Sequence, residues 1–326
     1  MGKPILQVSN LRTCFQTDEG SVKAVDDISF SVKQGETVCL VGESGCGKSV
    51  TAMSIMGLLQ GQASVTGRME LAGNELTTLS KGEMRRLRGN ELAMIFQEPM
   101  TSLNPVLTIG EQMIEVLLEH KPISKKQARM KALELIKRVG IGREEQVLKS
   151  YPHQMSGGML QRIMIAIALA CEPKMLIADE PTTALDVTIQ AQILELLKRL
   201  KDSQGMSMLL ITHDLGVVAE VADYVVVMYA GKIIEQGSVH EIFFNPKHPY
   251  TKGLLQAKPV IGQRKKKLYT IPGQVPPLID LKPSCYFADR CSHCMDICLD
   301  QAPSLINDGD EEGHRVACWL YEKVAQ

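Results

Sequence analysis

The sequence predicts an α/β protein whose core is a mostly parallel sheet. Segments of strand length that are apolar throughout alternate with longer segments of helical periodicity, which is typical of strands joined by helices that pack on the sheet. Near the start of the chain, residues 5–8 and 28–32 instead mix apolar and polar residues with a period near two. That pattern favours an antiparallel β subdomain ahead of the parallel core.

The middle of the chain carries a helical periodicity, and its end is rich in loop-forming residues. From about residue 100 to residue 170, apolar residues recur every three or four positions, which predicts an α-helical subdomain. Pro152 interrupts the pattern because proline cannot continue a helix. After about residue 256, prolines and cysteines become frequent. We therefore predict one domain over residues 1–256 and a loop-rich extension over residues 257–326.

A glycine-rich stretch follows the apolar segment Thr37–Val41 and precedes a helical segment. It fits the pattern G-x-x-x-x-G-K-[ST] at every fixed position, and the residues that we assign to a phosphate site are Gly42, Glu43, Ser44, Gly45, Cys46, Gly47, Lys48, Ser49 and Val50. Glycines allow successive backbone N–H groups to turn towards phosphate oxygens, and the following helix adds a favourable dipole. Lys48 is expected to reach the β- and γ-phosphates of ATP, and Ser49 to bind Mg²⁺. The alternative is a plain glycine-rich turn between a strand and a helix.

Two adjacent carboxylates, Asp179 and Glu180, end the apolar strand that begins at Met175. Neighbouring residues of a strand point to opposite sides, so one carboxylate could hold Mg²⁺ while the other acts as the general base on a water molecule. We assign Asp179 to Mg²⁺ and Glu180 to the base. The alternative is a pair of surface acids at a strand end.

Gln97 and His213 also follow predicted strands, which end at Phe96 and Thr212. The carboxyl ends of strands form the edge at which open α/β sheets bind ligands. The Gln97 carboxamide could reach both Mg²⁺ and the attacking water, and His213 could bond the γ-phosphate. A lone histidine is more commonly structural, so both interpretations of His213 stay open.

The composition argues against several classes of protein. Lysine and arginine number 36 and aspartate and glutamate 37, a formal net charge of −1, so no basic excess indicates a nucleic-acid binder. The N-terminal residues lack the apolar region of a signal peptide. No apolar run approaches the roughly 20 residues that cross a bilayer. We expect a protein that is soluble on its own and works in a reducing compartment, where disulfides are disfavoured.

A second motif narrows the interpretation. Ser156 is a candidate helix N-cap and is followed by Gly157 and Gly158. The segment from Ser156 to Gln161 resembles the signature motif of the ATP-binding-cassette (ABC) family. The order of motifs also resembles that family: phosphate loop, Gln97, signature, Asp179 with Glu180, Asp186, His213. Residues 96–105 and 248–255, with the cysteine-bearing tail, resemble the ATPase subunits of bacterial oligopeptide and dipeptide importers. Leu160 stands where close relatives commonly carry arginine.

The resemblance implies the ABC ATPase fold and a site that one chain does not complete. In that family two cassettes pack head to tail, so Ser156, Gly157 and Gly158 would contact the γ-phosphate held by the other chain, with Asp186 at the dimer seam. Phe15, which we place in a polar turn, matches the aromatic that stacks on the base. From its own surroundings, Phe15 could equally pack under the sheet.

The resemblance also implies partners and a location. Two transmembrane permease subunits, a second and homologous ABC ATPase subunit, and an extracytoplasmic peptide-binding protein would complete an importer at the cytoplasmic face of a bacterial cell membrane. The same chemistry could instead serve nickel, metallophore or opine import. A further alternative is a soluble ABC protein of translation or DNA repair, but those usually carry two cassettes or a long coiled-coil insertion.

Five of the nine cysteines lie between residues 285 and 318. Four of them match the spacing seen in the tails of the resembling family, with Cys294 as an extra thiol: Cys285, Cys291, Cys298 and Cys318. Four thiolates suit a [4Fe–4S] cluster or a Zn²⁺ ion, and unliganded thiols are the third interpretation. In either metal case we expect a structural role, because the extension has little core of its own. The other cysteines, Cys14, Cys39, Cys46 and Cys171, are expected to be buried apolar residues.

Overall fold

The computed structural model describes residues 3–59, 61–183, 185–257, 269–279, 281–307 and 313–322. The chain divides into two compact units, the first formed by residues 1–6, 32–36 and 72–210 and the second by residues 7–31, 37–71 and 211–326. The strands are β1 (Pro4–Thr17), β2 (Gly20–Lys33), β3 (Thr37–Val41), β4 (Ser64–Leu71), β5 (Asn74–Glu75), β6 (Leu92–Ile95), β7 (Met175–Asp179), β8 (Ser207–Ile211), β9 (Tyr224–Tyr229), β10 (Lys232–Ser238), β11 (Ile306–Asn307) and β12 (Arg315–Val316).

Helices separate most of the strands, as the sequence pattern predicts. They are α1 (Lys48–Ile55), α2 (Lys81–Leu87), α3 (Pro99–Ser102), α4 (Ile109–His120), α5 (Lys125–Arg138), α6 (Glu144–Lys149), α7 (Gly157–Ala168), α8 (Val187–Gln204), α9 (Leu215–Val221), α10 (Val239–Phe244), α11 (Pro249–Gln256) and α12 (Asp296–Asp300). Short 3₁₀ helices cover Leu76–Thr78, Pro152–Gln154 and Ala288–Arg290. Within the described ranges, no helix is both long enough and apolar enough to span a membrane.

The first unit combines strands β8, β7 and β6, in that order, with helices α2–α8. β6 and β7 are parallel, with Leu92 opposite Met175 and Ile95 opposite Ala178. Every residue of β6 and β7 is buried. A fully buried Leu, Ile or Val side chain stabilises the fold by about 1.5–3 kcal/mol relative to an exposed one, so these strands form a core that holds their C-terminal ends in place.

Helices α3–α7 lie within residues 99–168, where the helical subdomain is predicted. Capping boxes begin two of these helices. Thr108 accepts from the N–H of Glu111 at the start of α4, and Ser124 does the same for Gln127 at the start of α5. Each box satisfies backbone donors that the first turn of a helix leaves without partners. Helix α6 ends at Lys149, three residues before Pro152.

The second unit contains strands of both directions. β1 lies between β2 and β4 in one sheet, and a second sheet has the order β11-β12-β10-β9-β3. β3 pairs with β9 in parallel, whereas β9 with β10 and β10 with β12 are antiparallel. The mixed sheets confirm the predicted α/β class. β12 comes from the C-terminal extension, and its Val316 pairs with Glu235 of β10, so the extension adds strands to the sheet that contains β3.

Candidate active site

The phosphate loop leaves a fully buried strand and enters α1. All five residues of β3 are buried, and the loop glycines Gly42, Gly45 and Gly47 have φ values of 152°, 79° and 101°. A Cβ atom on Gly42 would lie 2.2 Å from the carbonyl oxygen of Met228, and one on Gly47 would lie 2.3 Å from that of Ala24. Both positions therefore require glycine for space as well as for φ.

Lys48 is the first residue of α1 and its side chain turns back over the loop. It is only 5% exposed, and its Nζ donates to the carbonyl oxygens of Gly42 at 2.8 Å and Glu43 at 2.9 Å. The ammonium group is thus fixed within the loop, where it can meet an anion. Ser49 and Val50 are half-buried in the first turn of α1, whereas Ser44 and Gly45 are exposed at the tip of the loop.

Cys46 belongs to the loop and is fully buried, with its sulfur 3.7 Å from the Lys48 ammonium. Burial raises the pKa of this thiol more than the neighbouring Lys48 lowers it. The thiol is therefore neutral at pH 7, and the cationic charge of Lys48 is not cancelled by a thiolate.

Glu43 connects the loop to two residues that the sequence analysis did not assign to the site. Its backbone N–H donates to the hydroxyl of Tyr250 at 2.9 Å. Its carboxylate accepts from both terminal nitrogens of Arg290, at 2.8 Å and 3.1 Å. Tyr250 lies in the segment 248–255, which the sequence marks only through its resemblance to a family. No local pattern links Arg290 to residue 43.

His248 fixes the start of the helix that carries Tyr250. Its Nδ1 accepts from the N–H of Tyr250 at 3.0 Å, and its own N–H donates to the Glu235 carboxylate at 3.0 Å. Burial lowers the pKa of His248 to about 4, despite the nearby Glu235. The ring is neutral at pH 7, which leaves a lone pair for the capping bond.

Phe15 does not lie in a polar turn, as the sequence analysis expects. It belongs to β1, which continues to Thr17, and its side chain is half-buried. The turn is confined to Asp18 and Glu19, because β1 ends at Thr17 and β2 begins at Gly20. The aromatic ring is thus carried by a strand, two residues before its end.

Asp179 and Glu180 have different backbone positions at the end of β7. Asp179 is the last residue of the strand and is 5% exposed. Glu180 lies outside the strand with a φ of 45°, a left-handed conformation that is uncommon for residues other than glycine. The expectation that strand alternation separates the two carboxylates is therefore wrong. The backbone turn after Asp179, rather than the pleat, sets the direction of Glu180.

The Glu180 carboxylate accepts hydrogen bonds from the side chains of Gln97 and Thr183. Gln97 Nε2 donates to Glu180 Oε2 at 3.2 Å, and the hydroxyl of Thr183 donates to the same oxygen at 2.8 Å. Gln97 lies two residues beyond β6, which ends at Ile95 rather than Phe96. The structure thus brings together two residues predicted from separate strands. The sequence analysis did not assign Thr183 to the site. The one sequence signal that could have indicated it is its position three residues after Glu180.

The signature segment forms the start of α7. Ser156 is the N-cap, as predicted, and its hydroxyl accepts from the N–H of Met159 at 3.4 Å. Ser156 and Gly157 are exposed, and Gly158 lies so close to α8 that a Cβ there would be 3.2 Å from Cγ2 of Ile189. Leu160 is 1% exposed, so the side chain found in place of arginine belongs to the core.

Asp186 and His213 are both exposed, each beside the start of a helix. Asp186 is the N-cap of α8 and accepts from the N–H of Ile189 at 2.9 Å. His213 lies two residues beyond β8, which ends at Ile211 rather than at the predicted Thr212. It directly precedes Asp214, the N-cap of α9. Ala184, two residues before Asp186, lies outside the described residues.

The four clustered cysteines are near enough to influence one another. Burial above all, together with the neighbouring Cys298, Cys318 and Cys291, raises the pKa of Cys285 to about 12. Among the described residues, however, no group of three or more His, Cys, Asp or Glu side chains is arranged to hold a metal ion. The thiols are neighbours but do not form a ready ligand set. Of the single cysteines, Cys39, Cys46 and Cys171 are buried as predicted, and Cys14 is only half-buried.

A separate cavity of about 450 Å³ lies in the second unit. Asp26, Lys232 and Tyr286 are among its lining residues, and the phosphate-loop residues are not. Asp26 accepts from the hydroxyl of Tyr286 at 3.1 Å and pairs with the Lys232 ammonium at 2.9 Å. The Asp26 and Lys232 charges in this cavity are therefore already paired with each other.

Comparisons with known proteins place these features in a family. The model of the ABC transporter family matches residues 25–183, and that of the oligopeptide/dipeptide transporter C-terminal region matches residues 234–298. The chain is 54% identical to the oligopeptide transport ATP-binding protein AppD of Bacillus subtilis (strain 168), over 98% of this chain and 97% of that one. It is 53% identical to the dipeptide transport ATP-binding protein DppD of the same organism, over 99% and 96%.

Solved structures agree with the sequence relatives. A dimeric ATP-binding cassette in a post-hydrolysis state, bound to ADP and Pi, superposes with a TM-score of 0.65 at 27% identity and covers 72% of this chain and 98% of its own. Taken with the relatives that match along nearly their full length, these findings show that the chain belongs to the ABC transporter family of ATPases, within the group that carries the oligopeptide/dipeptide transporter C-terminal region.

Proposed function

We propose that the chain binds and hydrolyses ATP as the energy-supplying subunit of a membrane importer of oligopeptides or dipeptides. The observation that carries the ATPase assignment is the phosphate loop, in which Lys48 is fixed over a backbone that only glycine can form. The peptide cargo is supported by the C-terminal region, whose family model is that of oligopeptide and dipeptide transporters. No observation favours nickel, metallophore or opine import, or a soluble ABC protein.

In this proposal the phosphates of ATP lie against the N–H groups of residues 42–49, with Lys48 on the β- and γ-phosphates. Ser49, Asp179 and Gln97 offer hydroxyl, carboxylate and carboxamide oxygens, the donors that Mg²⁺ prefers. Bound Mg²⁺ would neutralise charge that develops on the phosphate oxygens. The donor set therefore fits the ion that ATP brings with it.

Glu180 is the proposed general base. Its carboxylate takes a proton from a water molecule as that water attacks the γ-phosphorus and the bond to the ADP oxygen breaks, which yields ADP and phosphate. Gln97 and Thr183 both donate to Oε2 of this carboxylate and so fix its direction. His213 is proposed to donate to the γ-phosphate, and Phe15 to stack on the base.

A second ABC ATPase subunit is proposed to complete the site. Ser156, Gly157 and Gly158 are exposed or half-exposed at the start of α7, where N–H groups can meet an anion held by another chain. Asp186 would lie at the seam between the two chains. We propose a homologous partner rather than a second copy, together with two permease subunits, an extracytoplasmic peptide-binding protein, and a position at the cytoplasmic face of the membrane.

The test is ATP-dependent uptake by proteoliposomes that contain the chain, its two permeases and the partner ATPase, with the peptide-binding protein outside. Uptake of a labelled peptide is expected with ATP and not with ADP. Lys48→Ala should abolish uptake and weaken ATP binding, because the phosphates lose their nearest cation, whereas Lys174→Ala, on an exposed surface ion pair, should change neither. Uptake of nickel but not of peptides under these conditions would overturn the cargo assignment.

The cysteine cluster is a separate proposal. We propose that Cys285, Cys291, Cys298 and Cys318 take a [4Fe–4S] cluster, with Zn²⁺ as the alternative, supported by the spacing of these cysteines in the sequence. Either would stabilise the extension that we place over residues 257–326, of which residues 258–268, 280, 308–312 and 323–326 lie outside the described ranges. Anaerobic purification followed by iron, sulfide and zinc analysis is the test, and a preparation free of both metals would contradict it.

A further inference from the structure

Glu43 places a carboxylate inside a loop whose proposed ligand is a polyanion. It follows Gly42 directly, and its carbonyl oxygen accepts from the Lys48 ammonium at 2.9 Å. A carboxylate so close to bound phosphates would repel them, and in a partly buried site that repulsion is screened much less than in water. A loop that binds ATP therefore needs this charge to be neutralised or held away.

Arg290, from the C-terminal extension, meets this need. It forms the bidentate pair with the Glu43 carboxylate described above, and its side chain is 5% exposed while that of Glu43 is 28% exposed. Bidentate arginine–carboxylate pairs are among the strongest hydrogen-bonded pairs and fix direction as well as charge. The carboxylate is thus both neutralised and aimed at the extension.

Residues of the extension and Tyr229 of β9 hold Arg290 in position independently of Glu43. Arg290 Nε donates to the carbonyl oxygen of Pro272 at 2.8 Å, and Nη1 donates to the Tyr229 hydroxyl at 3.3 Å. The guanidinium also lies 5.7 Å from the centre of the Tyr229 ring and 5.9 Å from that of Phe287, within the range of cation–π attraction. The direction of the guanidinium fork is therefore fixed by contacts other than the one with Glu43.

All three hydrogen-bonding parts of Glu43 are engaged. Its N–H is bound by Tyr250, its carbonyl oxygen by Lys48 and its carboxylate by Arg290. Arg290 and Lys48 therefore contact the same residue, Arg290 through its carboxylate and Lys48 through its carbonyl oxygen. We propose that Arg290 is a positioning residue for nucleotide binding, through which the C-terminal extension neutralises Glu43 and keeps the phosphate loop in a form that accepts ATP.

This inference rests on the proposed ATPase function, and a double-mutant cycle on the full chain tests it. The dissociation constant for ATP is measured by fluorescence titration, with melting temperature as a second readout. Arg290→Ala should raise the dissociation constant by at least about tenfold, because the Glu43 carboxylate is left unpaired beside the phosphates. Arg290→Ala combined with Glu43→Gln should return it to within about threefold of the unaltered chain, since the repelling charge is gone.

Two further variants separate positioning from general damage to the fold. Arg290→Lys keeps the charge without the fork and should fall between the unaltered chain and Arg290→Ala. Arg315→Ala removes another arginine of the extension, one that donates to Asn307 and is exposed, and should leave ATP binding unchanged. If Arg290→Ala does not fold, the lysine variant and Glu43→Gln still report on the pair.

The outcomes distinguish the inference from the function on which it rests. Failure of the unaltered chain to bind ATP would overturn the proposed function. ATP binding that is indifferent to Arg290→Ala and Arg290→Lys would overturn only the role of Arg290. So would a double variant that binds ATP no better than Arg290→Ala, because the loss would then come from structure rather than from the charge of Glu43.

Discussion

Strands β3 and β7 are alike in length and burial, but the loops that follow them differ. Both strands have five residues, all buried, and both are followed by a residue with positive φ. After β3 that residue is Gly42, with φ 152° and no room for a Cβ, and after β7 it is Glu180, with φ 45°. One loop is shaped by the absence of side chains, and the other turns a functional side chain into place.

The difference separates two ways of building a site. The phosphate loop presents backbone N–H groups, so its chemistry depends on conformations that glycine adopts without strain. The loop after β7 presents a carboxylate, so it accepts a left-handed glutamate, which costs on the order of 1–3 kcal/mol and persists because surrounding contacts fix it. Gln97 and Thr183 supply such contacts. We therefore expect an added methyl group in the phosphate loop to lower stability, and a changed side chain at Glu180 to lower the rate of ATP hydrolysis.

The largest expected effect is on ATP hydrolysis and comes from a change in the loop after β7. Glu180→Gln keeps the size of the side chain but removes the base, so ATP hydrolysis should fall by about 10²–10⁴-fold while ATP binding is retained. Phosphate release and fluorescence titration measure the two quantities. We also expect this variant to accumulate the closed dimer with its partner on ATP, detectable by size-exclusion chromatography. Undiminished hydrolysis would remove Glu180 from the mechanism.

In the phosphate loop, a single added methyl group is expected to lower the stability of the protein. Gly42→Ala places a methyl group 2.2 Å from the carbonyl oxygen of Met228, so overpacking of about 1–3 kcal/mol adds to backbone strain. Gly45→Ala is the matched control, because its φ of 79° brings strain but nothing lies within 4 Å of its Cβ. Denaturant unfolding should show a clearly larger loss for Gly42→Ala, and equal losses would contradict the role of space.

Sequence alone predicts the first loop well and the second only in part. The glycines and Lys48 determine the phosphate loop locally, which is why its pattern could be recognised. The left-handed Glu180 could not be predicted, because strand alternation says nothing of the residue after a strand ends. Phe15 was misplaced since β1 runs on to Thr17. The pair between Glu43 and Arg290 joins residues 247 apart along the chain, and no local pattern encodes such a contact.

A smaller effect tests how the glutamate is held. Thr183→Val removes the hydroxyl that donates to Glu180 at 2.8 Å and keeps the shape of the side chain. Hydrogen bonds to charged groups contribute about 1.5–3 kcal/mol, so we expect kcat to fall by roughly tenfold or more with little change in KM for ATP. Thr183→Ser keeps the hydroxyl and should retain most of the activity. A serine variant as slow as the valine variant would mean that the methyl group, not the hydroxyl, matters.

The smallest expected effect concerns Asp186, which has one role in this chain and a second in the proposed dimer. As the N-cap of α8 it accepts from the N–H of Ile189 at 2.9 Å, so Asp186→Ala should lower the free energy of unfolding by about 1 kcal/mol. Asp186→Asn keeps a capping oxygen and should be nearly neutral for stability. If Asp186 also lies at the seam with the partner ATPase, the asparagine variant should still lose ATP hydrolysis in the assembled importer, because the negative charge is gone. Full hydrolysis by the asparagine variant would limit Asp186 to its capping role and would place it with the backbone-supporting residues rather than with Glu180.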